Sequence, residues 1–106
     1  MTQARRKKQP ECPLEEGLRF LAGAWTPKIL WYLQEGPLRF ADLRRKLEGV
    51  SAKVLTTRLR ELEEKRVVLR VVQPTSPPTV LYSLTKLGRR FQPVLQAIVD
   101  VGSELK

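Results

Sequence analysis

The sequence predicts a mainly α-helical domain that carries one small β-hairpin. Three observations predict it. Apolar residues recur at helical spacing in four stretches between Cys12 and Lys65. The pattern then changes to two β-branched runs, 67–73 and 79–84, separated by Pro74-Thr75-Ser76-Pro77-Pro78. A last helical stripe runs to about Gly102.

Each element follows from local chemistry. Residues 1–11 read as a polar arm with Arg5, Arg6, Lys7 and Lys8 in one block. Such a run repels itself and stays flexible, either as a solvated tail or as an arm lying along phosphates. Residues 12–106 read as the single folded domain. Pro13 suits the first position of a helix carrying Leu14, Leu18, Phe20 and Leu21, and Gly23 ends that segment. Thr26-Pro27 reads as an N-cap followed by a first-turn proline. The second helix carries Ile29, Leu30, Trp31 and Leu33, and Gly36-Pro37 stops it.

A third short helix over 39–47 shows Phe40, Leu43 and Leu47 on one face. After Gly49, Ser51 caps a fourth helix that runs to about Lys65. Its Leu55, Leu59 and Leu62 form a narrow stripe at i, i+4 and i+7. Two short helices joined by a tight turn containing glycine match a helix-turn-helix. The proline-rich stretch 74–78 cannot continue a strand, so the flanking runs read as a hairpin. Thr85 caps the last helix, whose stripe is Leu87, Phe91, Leu95, Ile98 and Val101. Pro93 inside this pattern predicts a kink or a restart.

Composition narrows the function. A chain of 106 residues fits one domain, and a domain this small gains buried area by dimerising. The 20 Lys and Arg against 11 acids give a net charge of +9, which points to an anionic partner: nucleic acid or an acidic membrane surface. No run approaches the ~20 apolar residues of a membrane span. Met1–Pro10 has no apolar core of a secretory signal. A cytoplasmic protein without membrane contact is the expectation. Histidine is absent and Cys12 is the one cysteine, which excludes an internal disulfide and leaves no metal cluster. There is no glycine-rich phosphate loop, and Glu15-Glu16 and Glu63-Glu64 diverge on helices. Neither an enzyme nor a cofactor is expected.

The order helix, helix, helix-turn-helix, hairpin, helix is that of a winged helix-turn-helix. Residue by residue the chain resembles the HxlR-type regulators, a branch of the MarR-like winged-helix proteins. The matching positions begin with Cys12-Pro13, Trp25, Ile29-Leu30, Gly36 and Arg39-Phe40. They continue through Leu43, Gly49-Val50-Ser51, Lys53, Leu55-Thr56 and Leu59-Arg60-Glu61-Leu62-Glu63. The hairpin adds Pro77-Pro78 and Tyr82-Ser83-Leu84-Thr85, and Gly88 follows. The resemblance implies a homodimer, operator DNA as ligand and transcriptional control. Three positions depart from the family pattern. Arg66 stands where a glycine usually closes the recognition helix, and Thr79 and Leu81 stand where charged wing residues are frequent.

If Leu55, Leu59 and Leu62 face the core, Lys53, Thr57, Arg60 and Glu64 point away, with Thr56 at the flank. Major-groove readers use the first turns of a recognition helix, which selects Ser51, Lys53, Thr56, Thr57 and Arg60. Lys53 and Arg60 suit guanine edges or phosphates, and the threonines suit a thymine methyl or a phosphate oxygen. Arg39, Arg44, Arg45 and Lys46 are candidate backbone clamps. Arg70, Thr75, Ser76 and Thr79 are candidate wing contacts, with a solvent-facing hairpin tip as the alternative. The expected dimer interface is Leu18, Leu21, Phe91, Leu95 and Ile98. Phe20, Trp25, Trp31, Tyr32 and Phe40 either line a small-molecule effector pocket or form plain core or dimer interface.

Cys12 has two readings. Near a helix N-terminus and a basic block its thiolate is favoured, although Glu11, Glu15 and Glu16 oppose it. The resemblance adds that some HxlR-type regulators sense oxidants or electrophiles through a cysteine at this place. The other reading is a small apolar residue at the dimer interface. Two further function classes remain open: a weakly specific architectural protein on DNA or RNA, and a winged-helix module for protein contact.

Overall fold

A computed structural model of the chain describes residues 12–106, so the basic arm expected over 1–11 lies outside the described residues. Helix α1 spans Pro13–Leu21, with Pro13 in its first turn. Helix α2 spans Thr26–Leu33. Strand β1, Leu38–Arg39, leads directly into α3, Phe40–Leu47. Helix α4 spans Ala52–Glu64. Strands β2, Val68–Gln73, and β3, Thr79–Leu84, form the hairpin. Helix α5, Lys86–Arg89, and helix α6, Gln92–Gly102, complete the chain. The last helix therefore restarts at Pro93, as its proline predicts.

The sheet is antiparallel, in the order β1-β3-β2. Leu38 pairs with Tyr82, and Val68 with Leu84. Strand β1 is not among the elements that the sequence predicts.

The cap at Thr26 is corrected. Trp25 is the N-cap, in a left-handed conformation with φ 69°. Its carbonyl accepts the first helical bond, from the Ile29 N–H at 2.9 Å. Thr26 lies inside the helix and is buried at 4% exposure.

The core collects one face from each helix. Ile29, Leu30 and Leu33 meet Leu43 and Leu47 of α3 and the Leu55, Leu59 and Leu62 stripe of α4. Val67, Val68 and Leu84 close it from the sheet side, and Leu95 of α6 joins them. Each such side chain contributes ~1.5–3 kcal/mol on burial. Leu95, expected at the dimer interface, is 5% exposed and belongs to this core.

Thr85 ties the end of α4 to α5. Its hydroxyl donates to the Arg66 carbonyl at 2.6 Å and accepts from the Gly88 N–H at 3.1 Å. A Cβ at Gly88 would lie 2.3 Å from the Val67 carbonyl oxygen, so only glycine permits this close approach. Arg66 has φ 63°, the left-handed conformation that a glycine would adopt freely.

Candidate nucleic-acid interface

Helices α3 and α4 are joined by Glu48-Gly49-Val50, and the turn needs positive φ at Glu48 (46°) and Gly49 (96°). Val50 is buried and anchors the turn to the core. The Arg44 Nε donates to the Val50 carbonyl at 3.1 Å. The Ser51 Oγ accepts from the Val54 N–H at 3.1 Å, as expected for the N-cap of α4.

This arrangement fixes which side chains α4 presents. Its leucine stripe is buried, while Lys53, Thr57 and Arg60 are exposed and Thr56 is half-buried. The Thr57 hydroxyl donates back to the Lys53 carbonyl at 3.1 Å. Its proton is spent within the helix, which leaves its methyl group and its acceptor capacity outward.

The clamp candidates on α3 differ from one another. Arg39 and Arg45 converge on Asp42: the Arg39 Nε lies 3.4 Å from one carboxylate oxygen, and Arg45 bonds the other. Asp42 is a residue that sequence reasoning missed. Its spacing to both arginines, three residues on either side, was the available signal. Partial burial raises the Asp42 pKa, but the hydrogen bonds and charges of Arg39 and Arg45 outweigh it and hold the carboxyl below its ordinary value. Arg44 stands apart, turned to the Val50 carbonyl. Lys46 sits over the Tyr32 ring at 5.9 Å.

In the wing, the Thr75 hydroxyl donates to the Pro77 carbonyl at 2.6 Å and lies 2.8 Å from the Thr79 Oγ. With the Thr75 proton committed to Pro77, Thr79 is the donor of that second bond. Both hydroxyl protons are used to close the hairpin tip. Arg70 and Ser76 remain exposed.

The interface candidates separate by burial. Leu18 and Ile98 are 57% and 54% exposed, whereas Leu21 and Phe91 are half-buried. The Phe91 ring packs on Phe20 with centroids 5.0 Å apart, joining α1 to the start of α6. The aromatic residues do not share one pocket. Trp25 lies under Lys28 at 5.5 Å, and Trp31, Tyr32 and Phe40 pack against the core. Cys12 is exposed and forms the N-cap of α1. Among the described residues no group of three His, Cys, Asp or Glu could hold a metal ion. No helix among them is long and apolar enough to cross a membrane.

This geometry has close counterparts. The family pattern described as "HxlR-like helix-turn-helix" matches residues 20–106. The HTH-type transcriptional regulator YtfH of Escherichia coli is 42% identical over 90 residues, covering 85% of this chain and 71% of that protein. A MarR-family structure from Porphyromonas gingivalis W83 superposes with a TM-score of 0.83 at 33% identity, covering 92% of this chain and 95% of that one. YodB of Bacillus subtilis in its reduced form gives a TM-score of 0.78 at 35% identity, covering 86% and 90%, and a diamide-treated YodB structure also matches. The sequence match and the shared winged-helix architecture agree: the chain belongs to the HxlR-like helix-turn-helix family and is a transcriptional regulator rather than an enzyme.

Proposed function

We propose that this regulator is a cytoplasmic homodimer that binds a pseudo-palindromic operator in double-stranded DNA and represses transcription. Helix α4 enters the major groove, with Ser51, Lys53, Thr56, Thr57 and Arg60 toward the bases and nearby phosphates. Arg39 and Arg45 hold phosphates, fixing register without reading sequence. Arg70 and Ser76 extend the contact through the wing, where Thr75 and Thr79 chiefly shape the tip.

The observation that carries this reading is the division of α4. One face is locked into the core by three leucines, and the other carries Lys53 and Arg60 with no ion pair to either among the described residues. Cations with no protein ion pair to break release counterions directly on meeting phosphates. The dimer rests on a second observation. Leu14 and Leu18 of α1 and Val94, Ile98, Val101 and Leu105 along the last helix and the residues after it stay exposed. A soluble monomer rarely leaves in water a contiguous apolar patch such as the one Val94, Ile98, Val101 and Leu105 form. Two related copies of α4 then require half-sites about one helical turn apart, ~34–36 Å.

Selection of bound sequences from a random duplex pool tests the proposal. A palindromic motif with that spacing is expected. A pool that enriches no motif would support weakly specific, architectural binding instead.

An oxidant response through Cys12 completes the proposal. Its thiol is exposed at a helix N-terminus, and the similar YodB has been solved both reduced and diamide-treated. Two Cys12 thiols, one per subunit, would lose two protons and two electrons to diamide and form one disulfide. Operator affinity should then change in the wild type and not in Cys12→Ser. Equal affinity with and without diamide rules the response out.

A further inference from the structure

The hairpin leaves one edge of the sheet open. In the order β1-β3-β2, strand β2 has a neighbour on one side only. A strand at an edge leaves about half of its N–H and C=O groups outside the ladder. Leu69, Arg70, Val71, Val72 and Gln73 are all exposed, so no described element covers that side. Beyond the ladder, only the Gln73 carbonyl accepts a backbone bond, from the Thr75 N–H at 2.8 Å. Edge strands are normally blunted by charges, proline or a bulge. Strand β2 has Arg70 as its single charge and no proline, and it offers Leu69, Val71 and Val72 to water.

The surroundings of this edge carry charge of one sign. Between Glu64 and Asp100 the chain has no acidic residue and six cations: Lys65, Arg66, Arg70, Lys86, Arg89 and Arg90. None of the six has an ion pair among the described residues. Five of them gather at the base of the hairpin. There the Thr85 N–H donates to the Val67 carbonyl at 3.0 Å and the Thr85 hydroxyl to the Arg66 carbonyl at 2.6 Å, which sets the start of α5 beside the end of α4. Lys86, Arg89 and Arg90, at i, i+3 and i+4, then share one side of the chain. The hairpin tip, residues 74–79, carries no charge.

We propose that β2 takes up an extended acidic segment of a partner protein as a further strand of the sheet. The free main-chain edge supplies hydrogen bonds. Leu69 and Val71, on one face of the strand, meet alternate apolar side chains of the segment, and the unpaired cations meet its carboxylates. Nucleic acid fits this edge less well. Phosphates answer the cations but neither the main-chain groups nor the apolar side chains, and the uncharged tip has no cation to carry into a groove. A second copy also fits less well, because pairing β2 with β2 brings two sets of unpaired cations together. The proposal does not rest on the DNA-binding reading above.

The test is calorimetric titration of the full chain, without DNA, using a short peptide of alternating valine and glutamate. Three control peptides each change one feature: a backbone N-methylated at alternate residues, lysine for glutamate, and serine for valine. The first peptide should bind once per chain and give new hydrogen-exchange protection to amides of residues 68–73. Each control should bind about tenfold more weakly or worse. Leu69→Glu, and Lys86→Gln combined with Arg89→Gln, should each weaken the first peptide about tenfold. Lys86 and Arg89 are exposed, so that pair keeps the test decisive even where Leu69→Glu fails to fold. Absence of binding into the millimolar range overturns the proposal. So does an N-methylated peptide that binds equally well, or an unchanged constant in the Lys86 and Arg89 pair. Protection of the same amides by random duplex DNA would assign the edge to nucleic acid and overturn it. Loss of self-association in a folded Leu69→Glu would assign the edge to a second copy, with the same consequence.

Discussion

The Arg44 Nε donates a 3.1 Å hydrogen bond to the carbonyl of Val50, bridging α3 to the turn before α4. The bond is partly buried, beside the buried Val50 side chain. The bond holds a turn in which Glu48 and Gly49 both take positive φ. We therefore expect Arg44 to act first on the angle between the two helices and only second as a source of charge.

Arg44→Met keeps the apolar stem and removes the donor. We expect it to lower stability by about 1–2 kcal/mol in urea unfolding, the cost of removing a hydrogen bond from a charged donor. If Arg44 served only as a phosphate clamp, stability would be unchanged. The salt slope of DNA binding would then fall by ~0.9 for each phosphate that the arginine had neutralised.

Asp42 holds Arg39 and Arg45 on one side of α3. Its folded-state pKa is depressed, so its contribution to stability is present above the unfolded-state pKa and lost as pH falls through the folded value. Asp42→Asn should therefore be less stable than wild type near neutral pH, and the gap should close in acid. The gap should also shrink with added salt, because the pairs are at the surface. A gap independent of pH would show that the carboxylate charge is not responsible.

Arg66 is held at φ 63° by the Thr85 hydroxyl on its carbonyl and by its own N–H bonding the Glu63 carbonyl at 2.9 Å. A side chain in that conformation costs ~1 kcal/mol. Arg66→Gly should stabilise the protein by about that amount in thermal or urea unfolding. A loss of stability would mean that the Arg66 side chain makes compensating contacts.

The exposed apolar face of α6 gives the dimer prediction. Wild type should sediment as a dimer at micromolar concentration. Ile98→Asp should sediment as a monomer with its helical circular dichroism retained, since Ile98 is 54% exposed and outside the protomer core. A monomeric wild type would contradict the interface.

Much of the fold was legible because single residues announce it. Ser51 and Thr85 are true caps, Pro93 restarts the last helix, and Leu55, Leu59 and Leu62 define the buried stripe of α4. The left-handed Arg66 was foreseeable from the glycine usual at that place. What escaped depends on partners distant in the chain. Strand β1 has two residues and exists only through its pairing with Leu81 and Tyr82. Thr26 looks like a cap locally, but burial draws it into the helix and the cap passes to Trp25. Leu95 carries the same sequence signal as Ile98, and only packing decides that one faces the core and the other faces out. At the candidate site, exposure of Lys53, Thr57 and Arg60 followed from helical periodicity. The commitments of Arg44, Thr75 and Thr79 to neighbouring groups did not, since each depends on turn geometry.

The central claim is that the first turns of α4 read operator sequence, and Lys53→Ala tests it most directly. The measurement is fluorescence anisotropy of wild type and variant on a selected operator and on random duplex, across a salt series. The account predicts that Lys53→Ala loses about 1–3 kcal/mol on the operator and much less on random duplex, narrowing the specificity ratio. Unchanged affinity for both duplexes would contradict it.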